Sequence, residues 1–61
     1  MTFAVQPKSY TEFDEHGAEY ADDINRARDI AFDWSVSEGG EPMVIWRLTM
    51  GKALQWMEVV A

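Results

Sequence analysis

Residues 44–61, VIWRLTMGKALQWMEVVA, are two β-favouring apolar runs joined at Met50-Gly51, and they carry two of the three tryptophans. No other feature constrains the fold as much, because alternating runs on either side of a glycine turn specify a β-hairpin. Over residues 43–49, Val44, Trp46 and Leu48 fall on one face, and Met43, Ile45, Arg47 and Thr49 on the other. Arg47 and Thr49 put the second face nearer water. Residues 53–60 are the return strand, and the turn sets which of its side chains join each face.

Two registers compete. A two-residue Met50-Gly51 loop aligns Ala53, Gln55, Met57 and Val59 with Trp46, but it drives Met50 to positive φ, which bulky residues resist. A three-residue loop, Thr49 to Gly51, lets Gly51 alone take the left-handed position and aligns Leu54, Trp56 and Val60 with Val44, Trp46 and Leu48. Sterics favour the second register. A slip of one residue exchanges the two faces, so every inference about surfaces depends on this choice.

Upstream, the spacing of apolar residues turns helical. Tyr20, Ile24, Ala27, Ile30, Ala31 and Trp34 fall in a stripe about 120° wide, as expected of a helix packed on one side. Asp22, Asn25, Arg26, Asp29 and Asp33 occupy the opposite face, with Asp22–Arg26 and Arg26–Asp29 at ion-pair spacing. Phe32 and Val36 lie off the stripe and are expected at the surface. In SYTEFDEHG, Ser9, Thr11 and Asp14 each offer a helix cap, and Asp14 is favoured because Gly17 weakens an earlier start. SEGGEP ends the helix, with a glycine for the left-handed position after the cap and a proline beyond it.

Before the helix, TFAVQP is a short edge strand stopped by Pro7. Together these elements predict an α+β fold of β-α-β-β order in a single small domain over residues 1–61. Its strand spans about 2–6, its helix about 14–37 and its hairpin about 43–60, with the helix on one face of a three-stranded sheet. A right-handed crossover would set the first strand parallel to the second if they share that sheet. One helix covers one face. The other face would then carry Met43, Ile45, Ala53, Met57 and Val59 uncovered, and an apolar patch of that kind marks an interaction surface.

Size sharpens that expectation, since a chain of 61 residues buries only about 60% of the surface it exposes when unfolded. Small domains need a staple. The chain contains no cysteine, which removes disulfides, zinc fingers and iron–sulfur clusters and leaves a partner subunit as the natural one. Neither a signal-peptide pattern nor an apolar run of membrane-spanning length is present, so a cytoplasmic location is expected.

The formal charge is −6, and it is segregated. Ten of the eleven acidic residues lie between Glu12 and Glu41 against Arg26 and Arg28, so that segment carries −8 and each flank +1. Direct nucleic-acid binding needs clustered Lys and Arg, which this chain lacks. A solvated acidic helix face accounts for most of the charge. Asp22, Asp29 and Asp33 could also meet a basic partner surface.

Signals for chemistry are sparse. Glu12, His16 and Glu19 have helical spacing and could hold a divalent cation if the helix began early, but carboxylates are so common here that chance produces such a triplet. Adjacent Asp22 and Asp23 point about 100° apart on a helix and do not form a coupled pair. No glycine-flanked nucleophile accompanies the single histidine, and the GG at 39–40 follows a helix, whereas phosphate loops precede one. Catalytic, cofactor and metal residues are therefore all assigned as none.

The leading functional expectation is a non-enzymatic protein-interaction module, homo-oligomeric with a dimer favoured, associating through Met43, Ile45, Met57, Val59 and Phe32. A second is an acidic inhibitor of the phage type that occupies a basic groove on a host nucleic-acid enzyme through Asp22, Asp29 and Asp33. A third is a ligand-binding or enzymatic protein with a site at a subunit interface, which would require His16, Arg28 or Arg47 beside a cavity.

Overall fold

A computed structural model describes residues 1–61. The elements are β1 (Thr2–Pro7), β2 (Glu19–Ala21), α1 (Ile24–Ser37), β3 (Met43–Thr49) and β4 (Lys52–Val59). The fold is α+β, with four antiparallel strands in the order β2-β1-β3-β4 and α1 packed against the sheet. The sequence reading anticipates three strands; the fourth is β2, only three residues long.

That short strand corrects the expected topology. β1 pairs antiparallel with both β2 and β3, so the chain reverses before it enters the helix. The crossover through α1 therefore joins β2 to β3, which run parallel to each other on either side of β1. β1 is thus a central strand, and Phe3, Ala4, Val5 and Gln6 are all buried.

The helix starts at Ile24 and not near Asp14. Asp23 is its N-cap: the carboxylate accepts a hydrogen bond from the Arg26 amide at 2.8 Å, satisfying one of the free donors of the first turn. Asp14 serves as a cap too, but of an isolated turn, accepting from the His16 amide at 3.0 Å while the Gly17 amide donates to the Asp14 carbonyl at 3.1 Å. The turn is tight, and a Cβ at Gly17 would come within 2.9 Å of Asp14 Oδ2. At the far end, the Gly40 amide donates to the Ser35 carbonyl at 2.8 Å, with Gly39 in the left-handed region at φ 73°.

Side chains of α1 meet Phe3, Val5, Ala21, Met43 and Ile45 in the main core, where Ala27 and Ala31 have no exposure at all. Alanines let the helix sit close to the sheet. Ile24, Ile30, Trp34, Met57 and Val59 pack around this core. The face assignment made from the sequence is thereby inverted: Met43, Ile45, Met57 and Val59 lie beneath the helix, and Val44, Trp46 and Leu48 lie on the other face. Sequence alternation separates the two sets correctly but contains nothing that says which one the helix covers.

The second face has a cover of its own. The segment between β1 and β2 folds back over Ala4, Val44 and Trp46, bringing Phe13 and Ala18 into contact with them. The Phe13 and Trp46 rings lie 5.7 Å apart, tilted by 54°, a geometry that suits the aromatic quadrupole. Gln6 pins this segment from the centre of the sheet. Although it has no exposure, its amide nitrogen donates to the Glu12 carbonyl at 2.8 Å and its oxygen accepts from the Asp14 amide at 2.9 Å.

The hairpin turn also departs from expectation. Thr49 pairs with Lys52, so the loop is the two-residue Met50-Gly51, with φ of 50° and 77°. Both residues are left-handed, as a hairpin turn matched to the twist of the strands requires. A left-handed conformation costs a residue with a Cβ about 1–2 kcal/mol. Met50 is 95% exposed, so its side chain clashes with nothing and that cost stays local.

The register then shifts within the ladder. Trp46 pairs with Gln55 and Ile45 with Met57, leaving Trp56 as the extra residue of a β-bulge. Before the bulge, Ala53 and Gln55 oppose Leu48 and Trp46. After it, Met57 and Val59 oppose Ile45 and Met43 under the helix. The strand satisfies parts of both registers weighed from the sequence.

Candidate interaction surface

The sheet ends in two unequal edges. β2 is three residues long, whereas β4 is eight, and no strand or loop pairs with its outer side. Helix α1 lies mainly over β1 and β3 and touches β4 least of the four strands. The margin of the helix-bearing face along β4 is consequently uncovered. Leu54 is 51% exposed, Trp56 49%, Val60 53%, and Phe32 on the flank of α1 51%. A groove runs between helix and strand, lined by Arg28 and Phe32 on one side and Met57, Val59 and Val60 on the other.

Trp56 is held at this margin by Arg47. The guanidinium carbon of Arg47 sits 5.0 Å from the ring centre of Trp56, a cation–π contact contributing about 0.5–1 kcal/mol at a partly exposed site. The bulge makes that contact geometrically available, since Arg47 pairs with Leu54 across the ladder and Trp56 follows two residues later. Arg47 Nε is buried and makes no hydrogen bond. Arg47, Arg28 and Arg26 have no carboxylate within ion-pairing distance, the two pairs in the chain being Lys8–Glu58 at 2.9 Å and His16–Glu15 at 3.6 Å. The helix pairs expected of Asp22, Arg26 and Asp29 are not formed.

Of the residues assigned to an interface from the sequence, Met43 and Ile45 have no exposure, and Met57 and Val59 are partly buried against the helix-side core. The uncovered sheet face expected to carry them does not exist, because α1 occupies it. Phe32 alone of that set is half-exposed, and it lies on the β4 margin. Leu54, Trp56 and Val60, which the preferred register placed under the helix, are the exposed ones.

The acidic set is at the surface. Asp22, Asp29 and Asp33 are all exposed, with Asp22 in the turn before α1, Asp29 at the rim of the groove between α1 and β4, and Asp33 on the opposite flank of the helix beside Arg26 and Glu19. Glu12, His16 and Glu19 lie in a loop and in β2, not on a helix, so their spacing brings nothing together. No three His, Asp or Glu side chains gather where they could hold a metal ion. His16 is remote from the groove that contains Arg28. No helix is long and apolar enough to cross a membrane.

Comparison with protein-family models, with curated proteins and with solved structures finds no match for this chain.

Proposed function

We propose that this chain is a protein-interaction module that acts by association and not by chemistry, and that it self-associates as a homodimer through the margin formed by α1 and β4. One observation carries the reading: four of the exposed large apolar side chains, Phe32, Leu54, Trp56 and Val60, lie along the open β4 edge of a fold whose two sheet faces are otherwise covered, while Tyr10 and Tyr20 lie elsewhere. Scattered exposed apolar residues are ordinary, but a contiguous row beside an unpaired strand is a binding surface. A second copy adds the buried area that so short a chain lacks. Of the exposed acids of α1, Asp33 lies on the opposite flank, while Asp29 lines the groove at this margin beside Arg28.

Light scattering coupled to size-exclusion chromatography at micromolar concentration tests the reading. A dimer that becomes monomeric in Trp56→Glu, with unchanged circular dichroism, supports it. A wild-type monomer throughout the micromolar range overturns it.

A further inference from the structure

We propose that the hairpin end of the second sheet face is a binding site for a small apolar monoanion, such as a medium-chain carboxylate, whose chain lies on Leu48 and Ala53 against Phe13 and whose charge meets Lys52. The site is on the face opposite the one that carries α1, so the inference stands apart from the homodimer reading.

The floor of the site follows from the register. Thr2 pairs with Leu48, and Leu48 with Ala53, which sets the three in one row across β1, β3 and β4. Ala4, Trp46 and Gln55 form the next row, on the same face because side chains two residues apart in a strand point the same way. The segment between β1 and β2 covers that inner row and brings Phe13 onto Trp46, with the rings 5.7 Å apart. Beyond Phe13 the outer row lies open. It floors a depression of about 370 Å³ that is walled by Phe13 and bounded by the Met50-Gly51 turn, within the range of about 300–1,000 Å³ usual for small-molecule sites. Phe13, Leu48 and Ala53 are each only partly buried, so an apolar chain laid there removes further apolar surface from water.

Charge selects the occupant. The chain carries −6, and the three other depressions on its surface each include a carboxylate: Asp29 and Glu58 in one, Glu58 in another, Glu19 and Asp33 in the third. This one includes none, and Lys52 is its single charged residue. Lys52 has no carboxylate partner, since the two ion pairs in the chain are Lys8–Glu58 and His16–Glu15. By alternation Lys52 leaves the sheet on the helix-bearing side. It belongs to the last rung of the hairpin, however, on the edge strand and beside the turn, where a flexible four-carbon stem can carry the ammonium round the open tip to the rim it lines. The hydroxyls of Thr2 and Thr49 at the same rim can donate to an anionic head as well.

An assigned nitrogen-15 spectrum of the intact chain, titrated at constant ionic strength with octanoate, octylammonium and acetate, tests the proposal. Octanoate should give saturable shifts at the Leu48, Gly51 and Ala53 amides and at the indole N–H of Trp46, against which Phe13, Leu48 and Ala53 pack. Acetate should bind far more weakly, because each methylene buried strengthens binding about fourfold. The net charge of the chain favours the cation at any unspecific site, so a preference for octanoate over octylammonium of at least about fivefold is diagnostic of Lys52. Lys52 is exposed, and Lys52→Glu should reverse the preference with unchanged circular dichroism. Equal binding of octanoate and octylammonium, octanoate binding indifferent to Lys52→Glu, shifts confined to the groove between α1 and β4, or no saturable shift by about 10 mM octanoate would each overturn the proposal.

Discussion

Gln6→Leu removes the attachment that holds the second face closed, and its effect follows from two hydrogen bonds. Leucine is close to glutamine in volume, so the substitution opens little cavity at a site with no exposure. What it removes is the donor to the Glu12 carbonyl at 2.8 Å and the acceptor for the Asp14 amide at 2.9 Å. A backbone group left unsatisfied in a buried site costs about 1–3 kcal/mol. Both partners here are only partly buried, which puts the loss for the pair at about 2–4 kcal/mol. If the segment lifts to recover water, the cost is instead the contact of Phe13 with Trp46. A domain of this size has about 3–9 kcal/mol of stability in all. With a urea dependence of about 1 kcal/mol/M for so small a chain, the unfolding midpoint falls by about 2 M or more. Urea titration followed by circular dichroism measures the shift, and acrylamide quenching of tryptophan fluorescence reads the uncovering of Trp46. A loss below about 0.5 kcal/mol with unchanged quenching would refute the claim that Gln6 pins this cover.

Other substitutions test separate parts of the fold. Ser35→Ala breaks a buried junction in which the hydroxyl donates to the Glu41 carbonyl at 2.7 Å and accepts from the Ala61 amide at 3.0 Å; thermal melts should show a loss of about 1–3 kcal/mol. Asp23→Ala removes the helix cap and should cost about 1 kcal/mol, whereas Asp14→Ala should leave helix content unchanged by far-ultraviolet circular dichroism. Met50→Asn relieves a left-handed methionine at the exposed turn, and chemical denaturation should register a gain of up to about 1 kcal/mol. A loss there would mean that the Met50 side chain makes a stabilising contact.

Local signals made some of this fold legible and long-range choices hid the rest. The apolar stripe of α1 is readable because Ala27, Ile30, Ala31 and Trp34 recur at helical spacing and do pack on the sheet. Alternation in residues 43–49 likewise sorts the side chains of β3 into two sets. Three things escaped, each for a physical reason. β2 has three residues, too few to show a period, and it draws Tyr20 out of the apparent helical stripe. Asp23 read as a residue inside the helix because Asp14 offered an earlier cap; the backbone of Glu12 and Asp14 is instead held by Gln6, a contact that no sequence window contains. Finally, which face of β3 the helix covers depends on where the chain returns after β2. That inversion buries Met43 and Ile45, while Leu54, Trp56 and Val60 are exposed because α1 sits over β1 and β3 and leaves the β4 edge open. Phe32 was readable at the surface because it lies off the stripe, a property of the helix alone.

The central claim is that association occurs at the β4 edge of a fold whose two faces are already closed. Amide hydrogen exchange measured across a dilution series tests it most directly, because pairing at an edge protects backbone donors that the monomer leaves to water. The account predicts that amides in Lys52–Val59 slow as protein concentration rises, while those of the segment between β1 and β2 and of the outer face of α1 keep the same rates. Exchange in β4 that is independent of concentration, or concentration-dependent protection confined to the segment over Trp46, would contradict it.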